Sequence, residues 1–342
     1  SFVLLGYDRP LIETDRLTVP ALLKRHGYNT AALGKWHLGL GWQLADGGPL
    51  PAQDQLPDDP GIDYAKPISG GPTALGFDTF FGISASLDMA PYCYIRDDRA
   101  TLIPSQPTKG RPFPENWREG MKSADFEHIG VLPRLCKEAV AYIDGQAEAS
   151  PRAPFFLYFP LPAPHTPVLP NAPFIGKSKA GIYGDFVVEV DWVVGQVVEA
   201  LDRNRLAADT LLIVTSDNGS TMTIRREFQQ YDHATNYHFR GQKSDAWDGG
   251  HRIPFIARWP GKVKPGTTCD DTICLTDLLA TSAAIVGAEV PEDAGQDSVS
   301  ILPDLLGTAH GPVREATIHH SVNGSFSIRK GRWKLEMCPG SG

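Results

Sequence analysis

The sequence has no long apolar run, no excess of positive charge and few cysteines, and each of these absences excludes a class of protein. No stretch of roughly 18 consecutive apolar residues occurs in the 342-residue chain, so no membrane-spanning helix is expected. The net charge of −8 argues against a general binder of nucleic acid or of anionic membranes. An anionic substrate would therefore need a local cationic pocket.

The cysteine content does not suggest a disulfide framework or a zinc site. There is no C-x-x-C pair and no metal-binding quartet. Cys269 and Cys274 could pair, but the odd number and low density of cysteines favour buried free thiols. The five residues are Cys93, Cys136, Cys269, Cys274 and Cys338.

Length and periodicity predict one large α/β domain with a small appendage. The chain is 42% hydrophobic and 21% charged, which suits a sizeable core. Strands alternate with amphipathic helices, so the main sheet should be mixed and mostly parallel, sandwiched by helices. We predict strands at 28–33, 154–159, 211–215 and 253–259, helices at 18–26, 132–143, 186–201 and 275–286, and loops at 41–72 and 97–125. The two apolar strands at 154–159 and 211–215 should be buried on both faces.

The pattern changes near residue 315. Short β segments at 317–320, 325–329 and 333–337 predict the start of a small antiparallel sheet. We therefore divide the chain into an α/β domain, 1–314, and the beginning of a C-terminal antiparallel subdomain, 315–342.

Polar side chains cluster in four segments that follow predicted strands. In open α/β sheets functional groups gather at the carboxyl ends of strands, so these segments should meet. Singly each signal is weak, because a lone Lys or His in a loop is usually solvated and Asp-Asn-Gly is usually a turn. The segments contain Lys35 with His37, His165 in Pro-His-Thr-Pro, Asp217 with Asn218, and Lys243 followed by residues 248–254.

Together the four segments suit one kind of chemistry. Carboxylate and amide oxygens are ligands for Ca²⁺ or Mg²⁺ and not for zinc. A divalent cation together with lysines and histidines can bind and hydrolyse an oxyanion ester such as a sulfate or phosphate ester.

At these residues the chain resembles the sulfatases of the alkaline-phosphatase superfamily. Residues 27–39, which contain Gly-Lys-Trp-His-Leu-Gly, are similar to the second signature of that family. The other segments, and Arg-Trp-Pro-Gly at 258–261, agree in order and spacing. Residues 76–78 and 86–89 resemble its variable substrate-side region. The resemblance implies an alkaline-phosphatase-like fold and hydrolysis of sulfate monoesters.

The resemblance also implies a role for each candidate site residue. Lys35 would bind a sulfate oxygen and steady the nucleophile, and His37 would take the nucleophile's proton. His165 would protonate the leaving oxygen or bind sulfate, and Lys243 would contact both sulfate and leaving oxygen. Asp217 and Asn218 would be ligands to Ca²⁺, with Mg²⁺ as the alternative.

One element of the family pattern is missing from the chain. Sulfatases use a formylglycine made from the first residue of a C/S-x-P-x-R motif, and no such motif occurs here. We therefore expect the nucleophile and the remaining metal ligands upstream of Ser1, in a longer protein of which this chain is a fragment cut at both ends. Two alternatives stay open: a phosphodiesterase or phosphonate hydrolase of the same superfamily, and a non-catalytic sulfatase-like binding protein.

The sequence assigns the substrate only by class, as a small-molecule or saccharide sulfate ester. Sulfated sugars and aryl sulfates are both open. Candidate substrate contacts are Asp88, Tyr92, Arg96, His233 and His251. The resemblance makes a periplasmic, secreted or lysosomal location plausible. No oligomeric state is predicted.

Overall fold

The computed structural model describes residues 3–51, 60–221 and 230–342. Within these residues the chain divides into two units. We call Val3–Ser178 with Ile182–Ala200 the N-terminal unit, and Lys179–Gly181 with Leu201–Gly342 the C-terminal unit. The sequence-based division between residues 314 and 315 separates the small C-terminal sheet from the rest of the chain. It differs from the division into these two units and stays a prediction.

The N-terminal unit is built on a five-stranded mixed sheet. Its strands are β1 (Asn29–Lys35), β2 (Thr79–Ile83), β3 (Ile95–Arg96), β4 (Arg99–Ala100) and β7 (Phe155–Tyr158), in the order β4-β3-β2-β1-β7. β1 pairs in parallel with β2 and with β7, whereas β3 and β4 pair antiparallel at one edge. The five central residues of β1 are buried, as expected for a parallel strand with neighbours on both sides. A separate antiparallel pair is formed by β5 (Gln106–Thr108) and β6 (Gly120–Lys122).

The helices of the N-terminal unit follow the predicted apolar faces. α1 (Val19–Arg25) begins after Thr18, whose side chain accepts a hydrogen bond from the Ala21 amide at 3.2 Å. α2 (Val131–Glu148) buries the predicted face, and α3 (Gly181–Arg203) begins in the C-terminal unit and runs mainly through this one. The buried residues of α2 are Val131, Leu132, Leu135, Cys136, Ala139 and Ile143.

In its described residues, the C-terminal unit contains two small antiparallel sheets. β8 (Leu212–Thr215) pairs with β9 (Phe255–Arg258), and the second sheet has the order β10-β11-β12. Those three strands are β10 (Thr317–His320), β11 (Phe326–Lys330) and β12 (Trp333–Glu336), close to the predicted bounds. The helices are α4 (Asp248–His251), α5 (Leu278–Val286) and α6 (Leu302–Leu306), and α5 ends at Gly287 as predicted.

The three-stranded C-terminal sheet turns its apolar face outward. Strand register places Ile318, Ile328 and Leu335 on one face, and Ile318 and Leu335 are 65% and 60% exposed. The opposite face carries Ser327, which is fully buried, together with Arg329 and Lys334. Polar side chains therefore attach this sheet to the rest of its unit.

Several local expectations need correction. β2 was not predicted, and the segment 97–125 contains short strands as well as loop. β7 is not buried on both faces: among the described residues it pairs with β1 alone, and Tyr158 is 42% exposed. β8 is likewise only partly buried, because in the described residues it pairs with β9 alone.

The cysteine expectation is partly confirmed. All five are free thiols; Cys93 and Cys136 are buried, whereas Cys269 is exposed. Among the described residues, no helix is long and apolar enough to cross a membrane.

Candidate active site

The Gly-Lys-Trp-His segment lies at the carboxyl end of β1, against the chain that leaves β7. The Lys35 amide donates to the Pro160 carbonyl at 2.8 Å. Gly34 has φ +140°, and a Cβ there would lie 2.1 Å from the same carbonyl oxygen. Only glycine permits this approach. Gly34 therefore lets the carboxyl ends of β1 and β7 come together.

Trp36 and His37 form a fixed turn after the strand. Trp36 is buried, its indole N–H donates to the Gly39 carbonyl at 3.0 Å, and its ring packs edge-on against Phe77. His37 has φ +56°, an uncommon conformation for a residue with a side chain, and its amide donates to the Ser84 carbonyl at 2.9 Å. Conformations of this kind cluster at functional sites because the surrounding structure must hold them in place.

The protonation state of His37 is set by its surroundings. Its Nε2 lies 2.7 Å from the Leu4 carbonyl oxygen, which can only accept, so the proton is on Nε2 and Nδ1 carries the lone pair. Burial lowers the pKa of His37 below its ordinary 6.5; the Leu4 bond and the Asp88 charge oppose this, and Lys35 and His165 add to it. The result is a neutral imidazole with a basic Nδ1 at neutral pH.

His165 is held by three groups around its Nδ1. The Thr166 carbonyl oxygen lies at 2.8 Å, the Ser86 hydroxyl at 3.0 Å and the Asp88 carboxylate at 3.9 Å. Because the carbonyl can only accept, Nδ1 carries a proton. Asp88 is largely buried, and within the described residues its Oδ1 accepts no hydrogen bond. As noted above, its charge favours the protonated form of His37, and its carboxylate lies beside the His165 ring.

Asp217 and Asn218 lie in the turn after β8. Asp217 is exposed, and its carboxylate makes no hydrogen bond with the described residues. The Asn218 side-chain NH₂ donates to the Gly219 carbonyl at 2.9 Å, so its amide oxygen remains for a ligand. Two adjacent hard oxygens fit Ca²⁺ or Mg²⁺, although such ions need about six or more. Over the described residues, the cluster of three potential His, Cys or acidic ligands is elsewhere, at Cys269, Asp271 and Asp304.

Lys243 comes from a segment that packs beside this turn. Its amide donates to the Ser220 carbonyl at 2.9 Å, and the Gly219 amide donates to the Gly250 carbonyl at 3.0 Å. The third and fourth predicted segments are therefore neighbours within the C-terminal unit.

The six predicted residues fall into two groups. Lys35, His37 and His165 gather in the N-terminal unit, and Asp217, Asn218 and Lys243 gather in the C-terminal unit. Their convergence on one cleft stays a prediction.

Three of the candidate substrate contacts have partners within the protein. Tyr92 is buried and its hydroxyl donates to the Arg118 carbonyl at 2.7 Å. Arg96 pairs with Glu138 at 2.9 Å. His251 stacks on another histidine at 3.7 Å. His233 is exposed, and Asp88 stands at the site as an electrostatic partner of the histidines.

Sequence reasoning did not find the partners that fix the histidines. The Leu4 carbonyl and the Ser86 hydroxyl bond to His37 and His165, respectively. The one available signal was the resemblance of residues 86–89 to a substrate-side region, which marked Asp88 without its role.

Solved structures show the same fold. A Bacteroides thetaiotaomicron protein described with the metabolism of glycosaminoglycans matches 98% of this chain and 73% of its own, with a TM-score of 0.82 and 29% identity. A sulfatase from Pseudoalteromonas sp. matches 97% of this chain and 64% of its own, with a TM-score of 0.69 and 22% identity, which supports the fold alone. The fold is thus the mixed-sheet, alkaline-phosphatase-like α/β fold.

Sequence comparison gives the family. The family model named Sulfatase matches residues 4–288, and the chain belongs to the sulfatase family. An N-acetylgalactosamine-6-O-sulfatase of Bacteroides thetaiotaomicron is 30% identical over 96% of this chain, and the human N-acetylgalactosamine-6-sulfatase is 32% identical over 84%. The rat steryl-sulfatase is 29% identical over 90%.

The chain is shorter than these relatives. The matches span 68%, 48% and 58% of the bacterial, human and rat proteins, respectively.

Proposed function

We propose that the complete protein hydrolyses sulfate esters and that this chain supplies the proton-transfer and sulfate-binding groups. The observation that carries the proposal is the neutral His37 imidazole, with its lone pair on Nδ1, near Lys35 and His165. A neutral base beside a cation is the arrangement needed to accept a proton close to an oxyanion. Membership of the sulfatase family supports sulfate as that oxyanion.

The roles we assign follow from charge and tautomer. His37 Nδ1 takes the proton of the nucleophile. His165, whose Nδ1 lies 3.9 Å from the Asp88 carboxylate, gives a proton to the leaving oxygen. Lys35 and Lys243 bind sulfate oxygens. The combined action of Lys243 with Lys35, His37 and His165 requires that the groups from the two units face one cleft.

The family implies a divalent metal, which we propose to be Ca²⁺ with Asp217 and Asn218 among its ligands, Mg²⁺ being the alternative. When bound, the cation would offset negative charge that builds up on the ester oxygens. We further propose that the formylglycine and the remaining ligands come from residues upstream of Ser1. None of the Cys or Ser residues in this chain heads a C/S-x-P-x-R motif.

The substrate class we propose is a sulfated sugar. Two of the relatives described above are named N-acetylgalactosamine-6-sulfatases. An aryl sulfate is the alternative.

The test compares this chain with the protein extended upstream through its C/S-x-P-x-R motif. Release of sulfate is measured from a chromogenic aryl sulfate and from a 6-sulfated N-acetylhexosamine, with Ca²⁺ present. We expect useful turnover from the extended protein alone, and a fall of roughly 100-fold in kcat for His37→Ala. The matched control is His310→Ala, which alters an exposed histidine outside both groups.

Four outcomes would contradict the proposal. Robust turnover by the 342-residue chain would show that the nucleophile lies within it. Equal rates for His37→Ala and wild type would remove the assigned base. Hydrolysis of a phosphodiester in preference to either sulfate, or tight binding of the sulfated sugar without turnover, would favour the alternative functions.

A further inference from the structure

The segment 244–248 is held by the C-terminal sheet and its flanking residues. The Val322 amide donates to the Ser244 carbonyl at 2.9 Å, and the Ala246 amide donates to the Ser341 carbonyl at 2.8 Å. The hydroxyl of the buried Ser327 lies 3.4 Å from the Ala246 carbonyl oxygen. Backbone and side chain thus fix this segment on the polar face of the sheet.

Asp248 is the centre of the attachment. Lys334 donates to one carboxylate oxygen at 2.9 Å and Arg329 to the other at 2.5 Å. All three side chains are less than one fifth exposed. Burial by itself raises the pKa of Asp248, but the bonds to Lys334 and Arg329 outweigh it and lower that pKa to about 2. The carboxylate is therefore charged and doubly paired at any physiological pH.

Lys334 also reaches the end of α4. Its ammonium donates to the Ala246 carbonyl at 2.5 Å and to His251 Nε2 at 2.9 Å. An ammonium can only donate, so His251 Nε2 is unprotonated. The His251 ring stacks on His319 of β10 at 3.7 Å with an interplanar angle of 18°. One lysine thus joins both ends of the 246–251 turn.

The other side of the same segment touches the turn that carries Asp217 and Asn218. Besides the bonds from Gly219 to Gly250 and from Lys243 to Ser220, the backbones are in close contact: a Cβ on Gly219 would lie 1.8 Å from the Gly249 carbonyl oxygen. With no side chain between them, a shift of one segment must move the other.

We propose that Arg329 and Lys334 are positioning residues, which hold Asp248 and through the 240–251 segment fix the turn of Asp217 and Asn218 and the backbone of Lys243. The small C-terminal sheet is then a brace for the metal and sulfate groups of its unit. The assignment of that turn as a metal site rests on the proposed function. The bracing role of the sheet is inferred from the contacts described above.

The test uses Lys334→Met, with Lys330→Met as the matched control. Lys330 lies on the same sheet but is 67% exposed, and its one ion pair among the described residues is with exposed Glu315. Hydrogen exchange is measured at the amides of Gly219 and Lys243, and Ca²⁺ affinity is measured by titration, both in the protein extended upstream of Ser1 as described above. In Lys334→Met we expect roughly tenfold or faster exchange at both amides, and Ca²⁺ binding weaker by a similar factor. Lys330→Met should match wild type in both.

Rescue separates positioning from general loosening. Lys334→Arg, which keeps the charge and donors, should restore both measurements toward wild type. If Lys334→Met does not fold, Arg329→Gln removes the second partner of Asp248 and should give the same direction of change.

The brace is refuted if exchange rises in β10 to β12 but not at Gly219 and Lys243, or if it rises equally throughout the N-terminal unit. It is also refuted if Lys330→Met gives the same change. Failure of the extended wild-type protein to bind Ca²⁺ would instead count against the metal assignment, while the exchange measurement would still decide the brace.

Discussion

Replacing Gly34 by alanine should destabilise the protein far more than replacing Gly27, although both glycines have positive φ. Gly27 follows α1 with φ +83°, and an added Cβ there would have no atom within 4 Å. Alanine at Gly27 should cost about 1–2 kcal/mol for the backbone conformation alone. Gly27→Ala is therefore the control for replacing a positive-φ glycine where no atom obstructs the new Cβ.

Gly34→Ala adds a collision to that cost. The new Cβ would lie 2.1 Å from the Pro160 carbonyl oxygen and 2.9 Å from its carbon, both backbone atoms that cannot rotate away. Moving them should cost about 1–3 kcal/mol of overpacking, and the weakened bond from the Lys35 amide about 1 kcal/mol more. We expect Gly34→Ala to exceed Gly27→Ala by about 2–4 kcal/mol.

The assay is urea unfolding followed by circular dichroism, with both variants and wild type compared at one temperature. A difference in unfolding free energy below about 1 kcal/mol would show that the strand ends separate easily. The close approach of the Pro160 segment to Lys35 would then not be a fixed feature of the site.

Three further predictions concern buried or partly buried titratable groups. His128 is buried and its pKa is lowered from 6.5 to about 4, chiefly by desolvation, so between these pH values the unfolded chain binds a proton that the folded chain does not. Stability should therefore rise with pH in that window, and His128→Phe should reduce the slope by about 1.4 kcal/mol per pH unit; an unchanged slope would contradict the neutral buried ring. Arg314→Met removes the cationic partner of the fully buried Asp277 carboxylate, so the free energy of unfolding in urea should fall by about 3–5 kcal/mol. A fall of less than about 1 kcal/mol would show that the ion pair contributes little to stability. Asp88→Asn should lower the pKa of His37 in an NMR titration, because the Asp88 charge raises it; an unchanged value would refute that coupling.

The sequence predicts elements best where one local rule dominates. β1 and the face of α2 were predicted closely because an apolar run and a 3.6-residue period define them. β2 was missed because it has five residues with Gly82 among them. Its strand state depends on pairing with β1, where Gly82 lies opposite Gly34. Such long-range pairing leaves little trace in a short sequence window.

The C-terminal sheet shows a second limit. Alternation along β12 identifies a strand but not which face packs inward. In the structure Trp333 and Leu335 point outward, because Lys334 between them pairs with buried Asp248. That partner lies 86 positions away in the chain, so periodicity alone could not indicate the orientation.

The site was predictable in its residue types and not in its supports. The Lys35–His37 signature and the Asp217–Asn218 turn could be read from motifs. The Asp88 charge beside His165 depends on a contact between distant loops, 79 positions apart at Ser86. Such contacts have no fixed spacing and appear only once the loops are placed.

The bond that sets the tautomer of His37 comes from a main-chain oxygen, that of Leu4. Every amino acid carries such an oxygen, so evolution can change the side chain at position 4 freely while the histidine keeps its proton on the same nitrogen. A family alignment would then show no constraint at one of the positions on which proton transfer depends. An ester in place of the Leu4–Leu5 amide would weaken that acceptor, and it would also remove the Leu5 N–H that donates to Asp8.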